Sequence, residues 1–167
     1  MGLLIVKSAF VGKYALATST KGNDNIDAYI AEYEEQILIE LLGMELFELF
    51  KADVDSGTKL PVDPIYLALY ERLNFEYCNY LLTSFGIKNI LLSIIYFYYV
   101  RDNTVKQTVN GSVEIQTEVS QPSNKAYLLL RYNEAITSYS VVQRYCLEKA
   151  DVYPTFKGVY KQVASLI

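Results

Sequence analysis

Few of the side chains in this sequence could do acid–base or nucleophilic chemistry, and they are scattered. The chain has no histidine, which is the commonest general base and a common ligand of transition metals. Its two cysteines, Cys78 and Cys146, fall within apolar helical patterns, which predicts inert, reduced core thiols; a single buried disulfide is the alternative. We therefore expect no histidine-dependent triad, zinc site or di-iron centre.

Carboxylate side chains supply two weaker candidates for a metal or acid–base site. The run Asp53 to Gly57 is faintly similar to a calcium loop, but Pro64 stands where the bidentate glutamate should be, so we interpret the run as a polar turn. Several glutamates largely avoid the apolar stripe of the first predicted helix, which favours a solvated or subunit-facing surface over an acid–base cluster. These residues are Glu32, Glu34, Glu35, Glu40, Glu45 and Glu48. The sequence thus predicts a protein that is not an enzyme and needs no cofactor or metal.

Charge and hydropathy argue against nucleic-acid-binding and membrane proteins. The net charge of −4 is spread along the chain without a basic block, which disfavours direct nucleic-acid binding. The apolar run 87–100 is interrupted by polar residues and is shorter than the roughly 20 residues of a membrane span, so we expect a buried helix. The N-terminus shows neither a secretion signal nor a myristoylation motif. We expect a protein made in a cytoplasm, with no membrane partner.

The apolar spacing predicts a mainly α-helical single domain over 1–167. Residues 1–23 are expected to form an extended arm or edge strand, and residues 24–102 hold helices. A first helix runs from Ile26 to Leu41, Gly43 ends or kinks it, and a short piece resumes over Met44 to Lys51. A second helix is predicted from Pro64 to Gly86 on a stripe of Tyr66, Leu69, Leu73, Tyr77 and Tyr80, and a third from Ile87 to about Arg101.

A β-hairpin is predicted over 103–120, centred on the turn residues Asn110-Gly111. A two-residue loop over Asn110 and Gly111 and a three-residue loop over 109–111 are both possible. The three-residue loop pairs Val105 with Ile115 and is favoured by polarity and charge, with a bulge at Gly111. Because the hairpin has few large apolar residues, packing against a neighbouring subunit would stabilise it.

The last long helix is predicted over 122–151, followed by a tail, residues 152–167, that Pro154 and Gly158 keep from continuing the helix. The chain has 16 tyrosines and 7 phenylalanines but no tryptophan, and tyrosine concentrates at protein interfaces. We therefore interpret the hairpin and the aromatic tail as elements that contact neighbours. The predicted interface residues are Val105, Val109, Val113, Ile115, Tyr153, Phe156 and Tyr160.

The sequence resembles the head-to-tail connector proteins of tailed phages, especially the portal-proximal ring proteins of crAss-like phages. The resemblance lies in Ile26 to Glu35 leading into Leu41-Leu42-Gly43-Met44-Glu45-Leu46-Phe47, the apolar helix Leu91 to Arg101, the stretch Val105 to Val119, and Tyr153 to Gly158. It implies a bundle of about four helices with a projecting hairpin, forming a ring of twelve copies at the head–tail junction of the virion. Its partners would be the portal protein and the next neck or tail ring protein.

In that setting DNA passes through the ring only as cargo, and an acidic channel wall would not hold phosphate. A second hypothesis, from a different class, is a small helical regulator or inhibitor that binds a host protein through the same aromatic surface. It predicts a stable monomer and a one-to-one complex. An enzyme that uses carboxylates and tyrosines alone is the least favoured hypothesis.

Overall fold

The computed structural model describes residues 2–15, 26–108, 111–114 and 122–161, with backbone alone for 103–108, 111–114 and 122–125. The prediction of a mainly helical fold is confirmed. Within these residues there are five α-helices and two antiparallel hairpins. The helices are α1 (Ile26–Leu42), α2 (Met44–Asp53), α3 (Pro64–Tyr70), α4 (Gly86–Thr104) and α5 (Pro122–Glu148). The strands are β1 (Leu73–Tyr77), β2 (Tyr80–Ser84), β3 (Val105–Thr108) and β4 (Gly111–Glu114).

Gly43 separates α1 from α2, as its position in the sequence predicts. Its φ of 83° lies in the left-handed region that glycine adopts at low cost. In the predicted α1 stripe of Ile26, Ile30, Tyr33, Ile37 and Leu41, Tyr33 is partly buried and the other four are buried. The spacing of three and four residues therefore identifies the core-facing side of the helix.

The prediction of one helix from Pro64 to Gly86 is wrong. Asp63 caps α3 by accepting a hydrogen bond from the Ile65 backbone N–H at 2.8 Å, but the helix ends at Tyr70 and the hairpin β1–β2 follows. Burial alternates along β1, because Leu73, Phe75 and Tyr77 also fit the two-residue period of a strand. Phe75 packs on Tyr145 of α5 with ring centroids 5.3 Å apart, so tertiary packing selects the strand.

The hairpin β3–β4 follows α4 directly and confirms a hairpin at this place, but both predicted loops, over 110–111 and over 109–111, are wrong. Val105 pairs with Glu114 and Thr108 with Gly111, so residues 109–110 connect the strands and Gly111 belongs to β4. The hairpin forms a two-stranded sheet of its own. Register is weakly specified by polarity where no sheet face is required to be buried.

Helices α4 and α5 form the centre of the fold and run antiparallel. Phe97, late in α4, lies 4.4 Å from Tyr132, early in α5. At the other end, Ser138 of α5 accepts a hydrogen bond from the Phe85 backbone N–H at 2.8 Å and bonds the Ser84 hydroxyl at 2.7 Å. The apolar spacing predicts a stripe of Leu128, Tyr132, Ala135, Tyr139, Val142 and Cys146 on this helix. The first two are partly buried and the other four are buried.

The prediction of an edge strand at the N-terminus is wrong for residues 2–15, which we call the N-terminal strap. The strap contains two short 3-10 helices, Lys7–Ala9 and Gly12–Tyr14. Its residues Leu4, Ile5, Phe10 and Tyr14 are buried in the core. A segment that buries four large side chains in the helical core is a part of that core and does not project from it as an arm.

Candidate functional site

The structure places two of the seven predicted interface residues, Val105 and Val113, on the hairpin β3–β4. Val105 lies opposite Glu114, and Val113 lies opposite Lys106. Val109 and Ile115 lie outside the described residues. β3 begins where α4 ends, so the hairpin starts at the C-terminal end of α4.

The tail aromatics occupy three different environments. Tyr153 is 2% exposed and its hydroxyl donates a 2.8 Å hydrogen bond to the Ile65 carbonyl; burial raises the pKa of Tyr153 well above its usual value. Phe156 is half-buried against the core. Tyr160 is 63% exposed. Of the three, Tyr160 alone presents most of its ring to solvent, while Tyr153 is a core residue of its own chain.

The tail pairs with the C-terminal end of α1. The last carbonyls of a helix have no partner within the helix, and here the tail supplies donors for two of them. The Lys157 backbone N–H donates to the Leu42 carbonyl at 3.1 Å, and the Val159 N–H donates to the Glu40 carbonyl at 2.6 Å. The Lys161 ammonium also pairs with the Glu40 carboxylate, so the tail is bonded to its own chain as far as residue 161.

Two side chains from α5 reinforce this contact. The Gln143 side-chain amide donates to the carbonyls of Leu41 and Val159, at 3.2 and 3.0 Å. The Tyr139 hydroxyl donates to the same Val159 carbonyl at 2.7 Å. Gln143 is fully buried, and its amide joins α1, α5 and the tail in one network.

Glycines allow the two backbones to approach at this crossing. A Cβ on Gly43 would lie 2.8–2.9 Å from backbone atoms of Lys157, and a Cβ on Gly158 would overlap the Leu41 carbonyl. Neither position therefore accepts a side chain without displacing the tail. The crossing gives Gly158, which the sequence marks only as a helix breaker, a specific packing role.

The hairpin β3–β4 and the tail lie at opposite ends of the fold. Tyr29, near the start of α1, packs on Tyr99, near the end of α4, with ring centroids 5.5 Å apart. The C-terminal end of α1, where the tail binds, contacts Gln143 in the last third of α5. At 1.5 Å per residue, the 17 residues of α1 span about 25 Å between these ends. The molecule thus offers separate contact elements at its two ends.

A further exposed element, the hairpin β1–β2, was not predicted. Tyr80 and Leu81 are 73% and 72% exposed, although both are large and apolar. The connecting residues Cys78 and Asn79 have φ values of 49° and 65°, as a tight hairpin turn requires. Cys78 is exposed there, so its predicted place in the core is wrong. The alternation Leu73, Phe75, Tyr77 in the sequence was the available signal for a strand.

Glu34 was also misjudged, since it is buried and does not belong to the solvated helix surface. It is 3% exposed and accepts hydrogen bonds from the backbone N–H groups of Leu3, Leu4 and Ile5, at 2.6, 2.8 and 2.8 Å. Burial raises its pKa even though these three donors act in the opposite direction. The sequence contains the signal: Glu34 follows Ile30 by four residues and so lies on the buried stripe.

Three of the groups with catalytic potential, Cys146, Asp53 and Asp55, are buried or engaged in hydrogen bonds within the fold. Cys146 is fully buried and its pKa is raised to about 12 by burial, so its thiol stays protonated. Asp55 accepts hydrogen bonds from the Gly57 and Thr58 backbones, and Asp53 from those of Val62 and Asp63, which agrees with a polar turn. Among the described residues, no cluster of three or more metal-ligating side chains occurs. No helix in this part of the chain is long and apolar enough to cross a bilayer.

We compared the chain with protein-family models, curated proteins and solved structures, and none of them matches it.

Proposed function

We propose that this protein is a structural subunit of the head-to-tail connector of a tailed phage, forming a ring beneath the portal. The observation that carries the proposal is the separation of its contact elements. The hairpin β3–β4 lies at one end of the antiparallel helical body, and the tail with its exposed Tyr160 lies at the other. A subunit that joins a portal on one side to a neck or tail protein on the other needs two such ends.

The sequence resemblance adds support. The helix–glycine–helix step over α1 and α2, the apolar α4 and the hairpin that follows it are the features that resemble connector ring proteins. Each is an element of this fold. The net charge of −4 suits a channel wall past which DNA moves without being held, because a basic wall would bind phosphates.

The proposed mechanism is geometric and not catalytic. Helices provide a rigid body, and the tail is fixed to α1 through Lys157, Val159 and Gln143, so that Tyr160 is presented in a defined position. A fixed aromatic side chain loses little conformational entropy on binding, which favours it as an interface residue. In this proposal the twelve-fold ring, the portal and the next ring protein are the partners.

Replacement of Tyr160 tests the proposal. Tyr160→Ser should leave the free energy of unfolding within about 0.5 kcal/mol of the wild type, because most of the ring is in solvent. The same change should reduce incorporation of the protein into phage particles. Tyr80→Ser, at a tyrosine of β2 that is 73% exposed, serves as the matched control for loss of a surface phenol.

Wild-type incorporation of Tyr160→Ser would contradict the role of the tail. If the protein is absent from particles and copurifies as a one-to-one complex with a host protein, the regulator hypothesis replaces the connector.

A further inference from the structure

The last turn of the N-terminal strap borders a cavity between α4 and α5. Its volume of about 290 Å³ is close to the lower end of the range of small-molecule sites, about 300–1,000 Å³. The lining includes Gly12 and Lys13 of the strap, Tyr96 of α4, and Tyr127, Leu128 and Arg131 of α5. We propose that this cavity binds a small organic oxyanion, a carboxylate or phosphate group carried on an aromatic ring.

Two cationic side chains supply the charge that an oxyanion requires. Among the described residues, the lining holds Lys13 and Arg131 but no carboxylate. The ion pairs in this part of the chain involve other side chains. Two cations at one cavity repel each other, and a bound anion removes that repulsion. In a chain of net charge −4, this cavity is therefore a local site for negative charge.

Arg131 is held in place at the wall of the cavity. Its guanidinium donates one hydrogen bond to the Lys13 carbonyl and one to the Tyr127 hydroxyl, and the guanidinium carbon lies 4.1 Å from the centroid of the Tyr127 ring. A guanidinium has five N–H donors in a planar fork that matches carboxylate and phosphate oxygens. These contacts leave N–H groups of Arg131 for a ligand, and they reduce the conformational entropy lost on binding.

Aromatic and apolar side chains form the rest of the wall. Tyr96 packs edge-on against Tyr14 with ring centroids 5.9 Å apart, and Leu128 is partly buried against the core. Burial raises the pKa of Tyr96, so its hydroxyl is a neutral hydrogen-bond donor at physiological pH. Aromatic walls favour a ligand ring that packs on them. A ligand with one oxyanion and one ring contacts both parts of the lining, whereas inorganic phosphate contacts the cations alone.

Titration of the isotope-labelled full-length protein tests the proposal, with the NMR shifts of the Gly12 and Leu128 amides as the readout. The probes are phenyl phosphate, benzoate, inorganic phosphate and benzyl alcohol, in about 0.15 M salt, which screens attraction to distant surface charges. Phenyl phosphate, benzoate or both should shift these amides saturably, and bind about tenfold or more tightly than inorganic phosphate or benzyl alcohol. The tighter aromatic probe identifies the preferred oxyanion as phosphate or carboxylate.

Variants that remove one charge give the test its specificity. Lys13→Gln and Arg131→Gln should each weaken binding of the preferred aromatic probe about tenfold or more, because each removes a charge-assisted contact. Lys7→Gln is the matched control, since it removes an exposed charge of the same strap outside the cavity, and it should leave binding unchanged. Lys13→Gln keeps the test usable if Arg131→Gln lowers stability, because the Lys13 ammonium lies 4.9 Å from the Tyr14 ring centroid and in no ion pair of the described residues.

The absence of a saturable shift with both aromatic probes would overturn the site. Inorganic phosphate that binds as tightly as phenyl phosphate and benzoate would overturn the proposed ligand class. Equal weakening by Lys13→Gln and Lys7→Gln would show diffuse attraction to the strap and would also overturn the site. Binding at this cavity is independent of the proposed connector role, so neither result bears on that role.

Discussion

Gly158→Ala should release the tail from the helical body. The added Cβ would overlap the Leu41 carbonyl and lie 2.5 Å from Gln143 Nε2. Neither atom has room to move, since one belongs to a helix backbone and the other to a fully buried side chain. The tail must therefore shift away from α1, because side chains in a closely packed interior cannot absorb such an overlap.

The magnitude follows from the hydrogen bonds that this shift breaks. Four bonds hold residues 157–159: two backbone bonds to α1 and one each from Gln143 and Tyr139. At a net value of about 0.5–1.5 kcal/mol each, their loss destabilises the fold by about 2–4 kcal/mol after partial solvation. In a domain of this size that lowers the melting temperature by roughly 5–15 °C.

Urea unfolding followed by circular dichroism measures this change. Gly57→Ala is the matched control, because its Cβ would meet nothing closer than Asp55 Oδ1 at 3.4 Å, an ordinary contact. That variant should stay within about 0.5 kcal/mol of the wild type. A Gly158→Ala protein as stable as Gly57→Ala would refute the backbone crossing between the tail and α1.

Three further predictions concern the core. Ser138→Ala should lower the free energy of unfolding in urea by about 1–3 kcal/mol, since it removes a buried hydroxyl that joins β2 to α5. The control Ser140→Ala loses only a hydrogen bond within its own helix and should be nearly neutral. Equal effects of the two changes would contradict the buried link through Ser138. In the native protein a thiol reagent should modify Cys78 and leave Cys146 unmodified until unfolding; rapid modification of both would contradict the burial. Burial, with Tyr98 nearby, raises the pKa of Tyr132 to about 12, while the pKa of tyrosine in the unfolded chain is about 10. The stabilisation by the protonated Tyr132 phenol should therefore be complete below pH 10 and lost as pH rises from 10 to 12. Tyr132→Phe should lose less free energy of unfolding over that pH interval than the wild type.

Much of the fold can be predicted from local pattern. The α1 stripe, the break at Gly43 and the start of α5 at Pro122 depend on periodicity and on residues with strong backbone preferences. The region 64–86 could not be resolved in this way. Its apolar residues fit both a helix and a strand, and the choice depends on packing of Phe75 against Tyr145, 70 positions away.

The candidate contact elements were predictable in outline but not in detail. Aromatic residues around Pro154 and Gly158 indicate a tail, yet spacing does not reveal that Tyr153 enters the core of its own chain. The spacing of Glu34 from Ile30 indicates a buried position, but its residue type favours the opposite, because a carboxylate in a helix is normally solvent-exposed. Burial of the Glu34 carboxylate becomes energetically acceptable because the N-terminal strap supplies three backbone N–H donors. This contact is a property of the tertiary fold.

Electron microscopy of complexes captured through a tag on this protein, from phage-producing cells, tests the central proposal most directly. The connector proposal predicts class averages with cyclic symmetry, twelve copies of this chain, and a position between the portal and the next neck or tail protein. Tailed particles that lack the protein, with the captured chain instead bound singly to a host protein, would contradict it.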